Sequence, residues 1–267
     1  MVIKELVVSD LTFVEYNERQ QKEILPEQVE YRANTVRPAN QFVYSNGQWT
    51  PNEYEGFAVV SMVNNNPGNF SLSRKLQNIQ RQLMERLDAT AYFFLPAESF
   101  HQTIANTVSD KRFKENIETS GKENVYPGLI EKAFQNIPGT DSNMPIAMKL
   151  AGVSIFGTAI GISGIIASEE DYKKITSFRS HFYRCEALKD LDVKMTRPFI
   201  GHITLAYIER ELTSKEKNDL AVAVNEINAS LIGNAPEFLI FLTELRRYHH
   251  LAEFKREEHY PVFHFNN

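Results

Sequence analysis

Apolar positions along this chain follow two rhythms, and each predicts a kind of element. Leu72, Leu76, Ile79, Leu83 and Leu87 fall three or four residues apart, the spacing of one helix face, so Ser71 to Asp88 reads as an amphipathic helix. Glu55 to Val63 is a short apolar run closed by Asn64-Asn65-Asn66-Pro67-Gly68 and reads as a strand. Ala91 to Thr107 is a second strand region, interrupted by Pro96. Ser168, with Asp171 three residues on, opens a helix through Tyr172, Ile175, Phe178 and Phe182. Thr213 and Glu216 open another, with Leu220, Val224, Ile227 and Leu231 on its apolar face. Phe199 to Ile208 and Glu237 to Leu245 return as strands. The order strand, helix, strand therefore occurs twice, with no glycine-rich phosphate loop after any strand, and predicts an α+β protein of two similar lobes.

Three stretches need separate treatment. Leu150 to Ala167 carries no charge over 18 residues and sets Gly157 and Gly161 at the spacing of packed membrane helices. Its four glycines, three hydroxyl residues and many isoleucines favour two consecutive buried strands instead, so no membrane span is expected. Ser109 to Pro145 is charged and loop-rich, with one short helix near Gly128 to Asn136, and suits a lid or insertion. Met1 to Asn52 has mixed polarity and a turn at Asn46-Gly47. The division expected is an N-terminal extension, 1–52, packed on the core, followed by one bilobal domain, 53–267.

With 42% hydrophobic residues in 267, the chain can build a large core, which excludes a disordered or fibrous protein. Its 29 Lys and Arg against 34 Asp and Glu give a net charge of −5, so no global positive field exists to hold long duplex nucleic acid, whereas a small anionic ligand is compatible. Cys185 is the sole cysteine, which excludes an internal disulfide and fits a reducing compartment. Lys4, Glu5 and Asp10 interrupt the first apolar run, so a secretory signal is not expected and a cytoplasmic location is.

The informative chemistry lies in two short sequences in register, Phe100-His101-Gln102-Thr103-Ile104-Ala105 and Gly201-His202-Ile203-Thr204-Leu205-Ala206. In a strand, residues two apart share a face, so each sets an imidazole beside a hydroxyl. With 14 threonines in the chain, two of the seven histidines would have one at +2 by chance only about 4% of the time, which favours a shared role over coincidence. Two imidazoles titrating near neutrality can divide the proton transfers of phosphodiester hydrolysis, one activating water and the other protonating the departing oxygen, with no metal or cofactor required. Two hydroxyls suit the non-bridging oxygens. The symmetry of the motifs gives no preference for which histidine is acid and which is base.

The paired H-x-T-apolar motifs, 101 residues apart, resemble the signature of the two-histidine (2H) phosphoesterase superfamily, which includes RNA 2′,3′-cyclic phosphodiesterases and ligase-like proteins. The resemblance runs from about Tyr54 to Phe265. Phe94-Leu95-Pro96-Ala97-Glu98-Ser99-Phe100-His101-Gln102-Thr103 looks closest to an uncharacterised branch with an N-terminal extension. The resemblance implies a bilobal, pseudo-symmetric fold with two antiparallel sheets facing a central cleft and helices outside. It implies His101 and His202 as catalytic residues and Thr103 and Thr204 as phosphate ligands. The residue between His and Thr is usually apolar in the family; Ile203 fits and Gln102 does not, so either Gln102 is exposed or the first lobe packs differently.

The function expected is a metal-independent phosphodiesterase acting on a cyclic phosphate or 2′,5′-type bond of a nucleotide or RNA end. The alternatives are a non-catalytic nucleotide-binding module and an RNA-end ligase or transferase using the same cleft. Arg197, five residues before His202, is a further candidate substrate contact, with a surface salt bridge as its ordinary alternative. By strict alternation Tyr207 falls opposite Thr204 and reads as a packing residue. His249, His250, His259 and His264 match no metal-ligand spacing and read as solvated or pairing histidines.

Overall fold

The computed structural model describes residues 8–139 and 144–265; residues 1–7 of the N-terminal segment and 140–143 of the loop-rich stretch lie outside the described residues. The N-terminal segment folds into helices α1 (Phe13–Lys22) and α2 (Pro26–Asn34) and a hairpin of β1 (Phe42–Ser45) and β2 (Gln48–Pro51). Thr12 and Glu15 close a full capping box on α1, and Pro26 at the start of α2 has its φ already set for a helix. Asn46 and Gly47 both take positive φ, the geometry a two-residue hairpin turn demands. The hairpin is seated by Phe42, whose ring stacks on Phe93.

There follow β3 (Gly56–Met62), α3 (Phe70–Met84), β4 (Tyr92–Phe94), β5 (His101–Ser109), the single turn α4 (Lys111–Phe113) and α5 (Tyr126–Gln135). Next come β6 (Ile146–Ile155), β7 (Ala159–Ile166), α6 (Glu169–Arg184), the short α7 (Glu186–Lys189) and β8 (His202–Ile208). The chain ends with α8 (Ser214–Leu231), β9 (Glu237–Ile240), β10 (Leu242–His250), β11 (Glu253–Lys255) and β12 (Val262–His264). The uncharged stretch from Leu150 forms most of the β6–β7 hairpin, turned at Gly157 with φ +77°, and no described helix is long and apolar enough to cross a membrane.

Two antiparallel sheets result, ordered β11-β10-β3-β5, with β12 also on β10, and β4-β8-β7-β6-β9. They adjoin where β5 meets β8; α3 and α8 pack on β8 and β6, and α6 packs across β5, β6 and β7. The lobes are not sequential halves. β4 pairs with β8 in the second sheet, and β10 to β12 return to the first. The single strand expected at Glu237 to Leu245 is two strands in different sheets. The chain crosses at Phe241, where Asn66 Oδ1 accepts from the amides of Phe241 and Leu242. The described part of Ser109 to Pro145 is not a loose lid: Phe113, Ile117, Tyr126, Ile130 and Phe134 are buried, because its charges lie on one side of short helical turns and its apolar residues on the other.

Candidate functional site

His101 opens β5 and His202 opens β8, and the two are held in the same way. His101 Nδ1 lies 2.7 Å from the carbonyl oxygen of Ser99, and His202 Nδ1 lies 3.2 Å from that of Ile200. A carbonyl can only accept, so Nδ1 carries the proton and Nε2 keeps its lone pair in each neutral ring. Each ring also packs against one phenylalanine, His101 on Phe254 at 4.3 Å and His202 on Phe156 at 5.0 Å between centroids. Burial alternates through both motifs: His101 and Thr103 are partly exposed with Gln102 buried between them, and His202 and Thr204 are partly exposed around buried Ile203.

Strict alternation stops there. The pairing of β3 with β5 shifts between Val59 and Val60, and that of β7 with β8 shifts between Ile160 and Gly161. Each shift inserts one residue into the motif strand after its threonine, Ile104 or Leu205, and rotates the rest of the strand by one position. Asn106 and Tyr207 thereby share the face of Thr103 and Thr204. The expectation that Tyr207 faces away is corrected by this bulge.

Gln102 is completely buried and joins the two motifs. Its Nε2 donates to the carbonyls of Thr103 (2.8 Å) and Ile200 (3.0 Å), and its Oε1 accepts from the amide of His202 at 2.6 Å. The polar residue at this position is thus an inter-sheet tie rather than an exposed anomaly. Arg179, also buried, adds a second tie, donating to Ile104 O at 2.7 Å and Arg197 O at 2.9 Å while both carboxylate oxygens of Asp10 hold its Nε.

The approach to His202 is fixed mainly by the N-terminal segment. Asp10 accepts from the amide of Phe199 at 2.6 Å, Arg19 donates to its carbonyl, and Gln20 donates to the carbonyls of Gly201 (2.6 Å) and Gly164 (2.9 Å). Gly201 tolerates no side chain: a Cβ there would run into Gly164 O and the Tyr16 hydroxyl. Arg197 sits beside His202 in a cavity of about 250 Å³ that also takes in Arg19, Gln20, Glu23, Arg32, Phe156 and Ile200. The salt bridge expected as its ordinary role is not found among the described residues.

Residues 44–119 match the family model "2H-phosphodiest: Domain of unknown function (DUF1868)". That segment, which holds the first motif and stops short of His202, is similar to this family. No curated protein matches it. Among solved structures it is similar to a conserved protein of unknown function, ATU0111, from Agrobacterium tumefaciens, at TM-score 0.61 and 16% identity over 86% of this chain and 97% of that one, a likeness of fold. It also matches TT0787 of Thermus thermophilus, at TM-score 0.44 and 11% identity over 79% and 97% of the two chains. A third match, a structure named as a phosphoesterase, has TM-score 0.41 and 13% identity over 77% and 94%.

Both motif histidines are harder to protonate than a free imidazole. Burial pushes each down to about 4; Arg246 adds to the effect at His101, and Arg197, His101 and Arg19 add to it at His202. His101 is among the charges felt at His202, and the strands that carry them, β5 and β8, adjoin. The expectation of near-neutral titration is corrected: at pH 7 both imidazoles of the free protein are neutral. A histidine depressed from 6.5 to about 4 takes up its proton more readily in the unfolded chain, so stability present above pH 6.5 is lost as pH falls toward 4. In urea melts between pH 6.5 and 4.5, His101→Gln should flatten the decline in unfolding free energy by about 1.4 kcal/mol per pH unit relative to the native chain.

The four C-terminal histidines form no metal-ligating group among the described residues. His249 pairs with Glu55, His250 Nδ1 accepts from the Ala252 amide, and His259 packs on Tyr260. The residues missed from sequence are Gln102 as a tie, Tyr207, and Asp10, Arg19 and Gln20. The Thr12-x-x-Glu15 capping box was a legible sign that the last two lie on a helix.

Proposed function

We propose that the protein is a metal-independent phosphodiesterase that hydrolyses a cyclic phosphate or 2′,5′-type bond of a nucleotide or RNA end, in the cytoplasm. The observation that carries this reading is the pair of equivalently held imidazoles, each with Nδ1 committed to a carbonyl and Nε2 without a partner among the described residues, tied together by Gln102. On a 2′,3′-cyclic phosphate, one Nε2 takes a proton from water as its oxygen bonds to phosphorus. The other imidazole, protonated, gives its proton to the ribose oxygen as that P–O bond breaks, leaving a phosphomonoester. Thr103 and Thr204 donate to the non-bridging oxygens, with Tyr207 on the same face of the strand as Thr204.

The charges around the two rings are unequal. His202 faces Arg197 and Arg19, neither with an ion-pair partner among the described residues, whereas Arg246 near His101 is held by Glu244 at 2.6 Å. The more positive surroundings keep His202 neutral, which suits the base, and leave the acid to His101.

The test is incubation in EDTA with 2′,3′-cyclic nucleotides, 2′,5′- and 3′,5′-linked dinucleotides and 3′,5′-cyclic nucleotides, following phosphomonoester formation. Turnover of at least one is expected; activity only after a divalent metal is added would overturn the reading. Because kcat/KM reports the free protein, it should fall with rising pH from about pH 5, as the protonated imidazole is depleted roughly tenfold per unit. The kcat profile should extend to higher pH, since a bound phosphate offsets the guanidinium charges that oppose protonation.

A further inference from the structure

The cavity beside His202 contains more positive charge than the two-histidine chemistry uses. Three guanidiniums line it, and Glu23, the carboxylate among the lining residues, is committed to Arg32 through two bonds, Nε to Oε2 at 3.0 Å and an amino nitrogen to Oε1 at 2.5 Å. Arg19 and Arg197 form no salt bridge among the described residues; Glu23 and Asp10 favour the Arg19 charge from a distance, and Arg19 opposes that of Arg197. Arg19 spends one donor on the Phe199 carbonyl; its other donors, and all those of Arg197, have no protein acceptor among the described residues. Arg197 is exposed and Arg19 half-buried, so both guanidiniums keep donors that a small anion entering the cavity can reach.

The larger groove along α6 is different. Lys173, Lys189 and Lys194 line it, and each is paired with a nearby carboxylate, Glu169, Glu186 and Asp192. Arg184 also lines that groove with no ion pair among the described residues, but it stands alone there, whereas Arg19 and Arg197 share the smaller cavity with His202.

We propose that this cavity is a second anion site, taking a phosphate monoester that the substrate carries in addition to the phosphodiester presented to the histidines. At about 250 Å³ it is smaller than a typical small-molecule pocket and suits a phosphate with its ester linkage, not a nucleoside. Because His202 lines it, the second phosphate lies within about one nucleotide of the scissile phosphorus. Bidentate geometry makes arginine the apt residue for such a group. The N-terminal segment thereby acquires a role in selecting substrate, through Arg19 on α1. Only the word substrate rests on the phosphodiesterase reading; the anion site stands on the cavity itself.

The experiment has a binding arm and a kinetic arm, both on the full chain. Calorimetry compares adenosine 2′- and 3′-monophosphate with adenosine 2′,5′- and 3′,5′-bisphosphate. At least one bisphosphate should bind roughly tenfold or more tightly than its monophosphate. Arg19→Gln and Arg197→Gln should each bring that ratio to about threefold or less, while Arg19→Lys, which keeps the charge and one donor to Phe199, should retain most of it. Equal affinity for mono- and bisphosphates, or a ratio untouched by Arg19→Gln, overturns the proposal. The kinetic arm compares kcat/KM for adenosine 2′,3′-cyclic phosphate with and without a 5′-phosphate. A binding ratio that survives when no substrate of the EDTA panel is turned over supports the anion site and sinks the phosphodiesterase reading; turnover with a binding ratio near one does the reverse.

Discussion

His101→Ala and His202→Ala should each lower kcat/KM on the substrate identified in the EDTA panel by about 10²- to 10⁴-fold, equivalent to about 3 to 5.5 kcal/mol of transition-state stabilisation. The two losses should not add. Removing the acid leaves the base with no partner for concerted transfer, so the double variant should be little worse than the poorer single one. The charge asymmetry makes a sharper claim. A phosphodiester with a 4-nitrophenyl leaving group departs without being protonated, so His101→Ala should recover most of its activity on that substrate and His202→Ala should not. The reverse pattern would exchange the roles; equal losses on both substrates would mean that neither imidazole acts on the leaving group. A loss of less than about threefold for either variant on the natural bond would remove two-histidine catalysis altogether.

Local spacing is the part of this fold that can be read from the sequence. The helix under Leu72 to Leu83 was set by its apolar period, α8 by the Thr213–Glu216 box, and the β6–β7 hairpin by glycines too frequent for a helix. The motif faces were equally legible, because His101 and Thr103 need only the two-residue period of a strand. The period fails where a residue is inserted, and an inserted Leu205 looks like any other apolar residue in the sequence, so Tyr207 was assigned to the wrong face. Long-range commitments leave no local trace either. Nothing near Phe241 marks a change of sheet, and nothing in Asp10, Arg19 or Gln20 marks them as partners of residues some 180 positions away. Depressed histidine titration has the same origin: burial is a property of the assembled cleft, and the sequence supplied only the unperturbed value.

Gln102→Leu should be the most damaging substitution outside the residues that touch the phosphate. Leucine fills similar volume and suits the apolar position usual in the superfamily, yet here it would strip the His202 amide of the acceptor at 2.6 Å and remove donors from Thr103 O and Ile200 O. An unsatisfied buried amide costs about 1 to 3 kcal/mol, and with the other two bonds weakened the unfolding free energy should fall by about 2 to 4 kcal/mol. The effect on rate comes from position. Ile200 O also accepts from His202 Nδ1, so releasing that carbonyl loosens both the tautomer and the orientation of the ring. A displacement of about 1 Å at a reacting group costs on the order of 10²-fold, so kcat should drop far more than KM rises. Gln102→Glu separates geometry from charge. It keeps an acceptor for the His202 amide but turns a second carboxylate oxygen toward two carbonyls, and its negative charge favours protonated imidazoles. Its kcat/KM profile should therefore move to higher pH, whereas that of Gln102→Leu should fall in height without moving. If Gln102→Leu kept stability within about 0.5 kcal/mol and kcat within about twofold, the tie between the sheets would not be what aligns the two histidines.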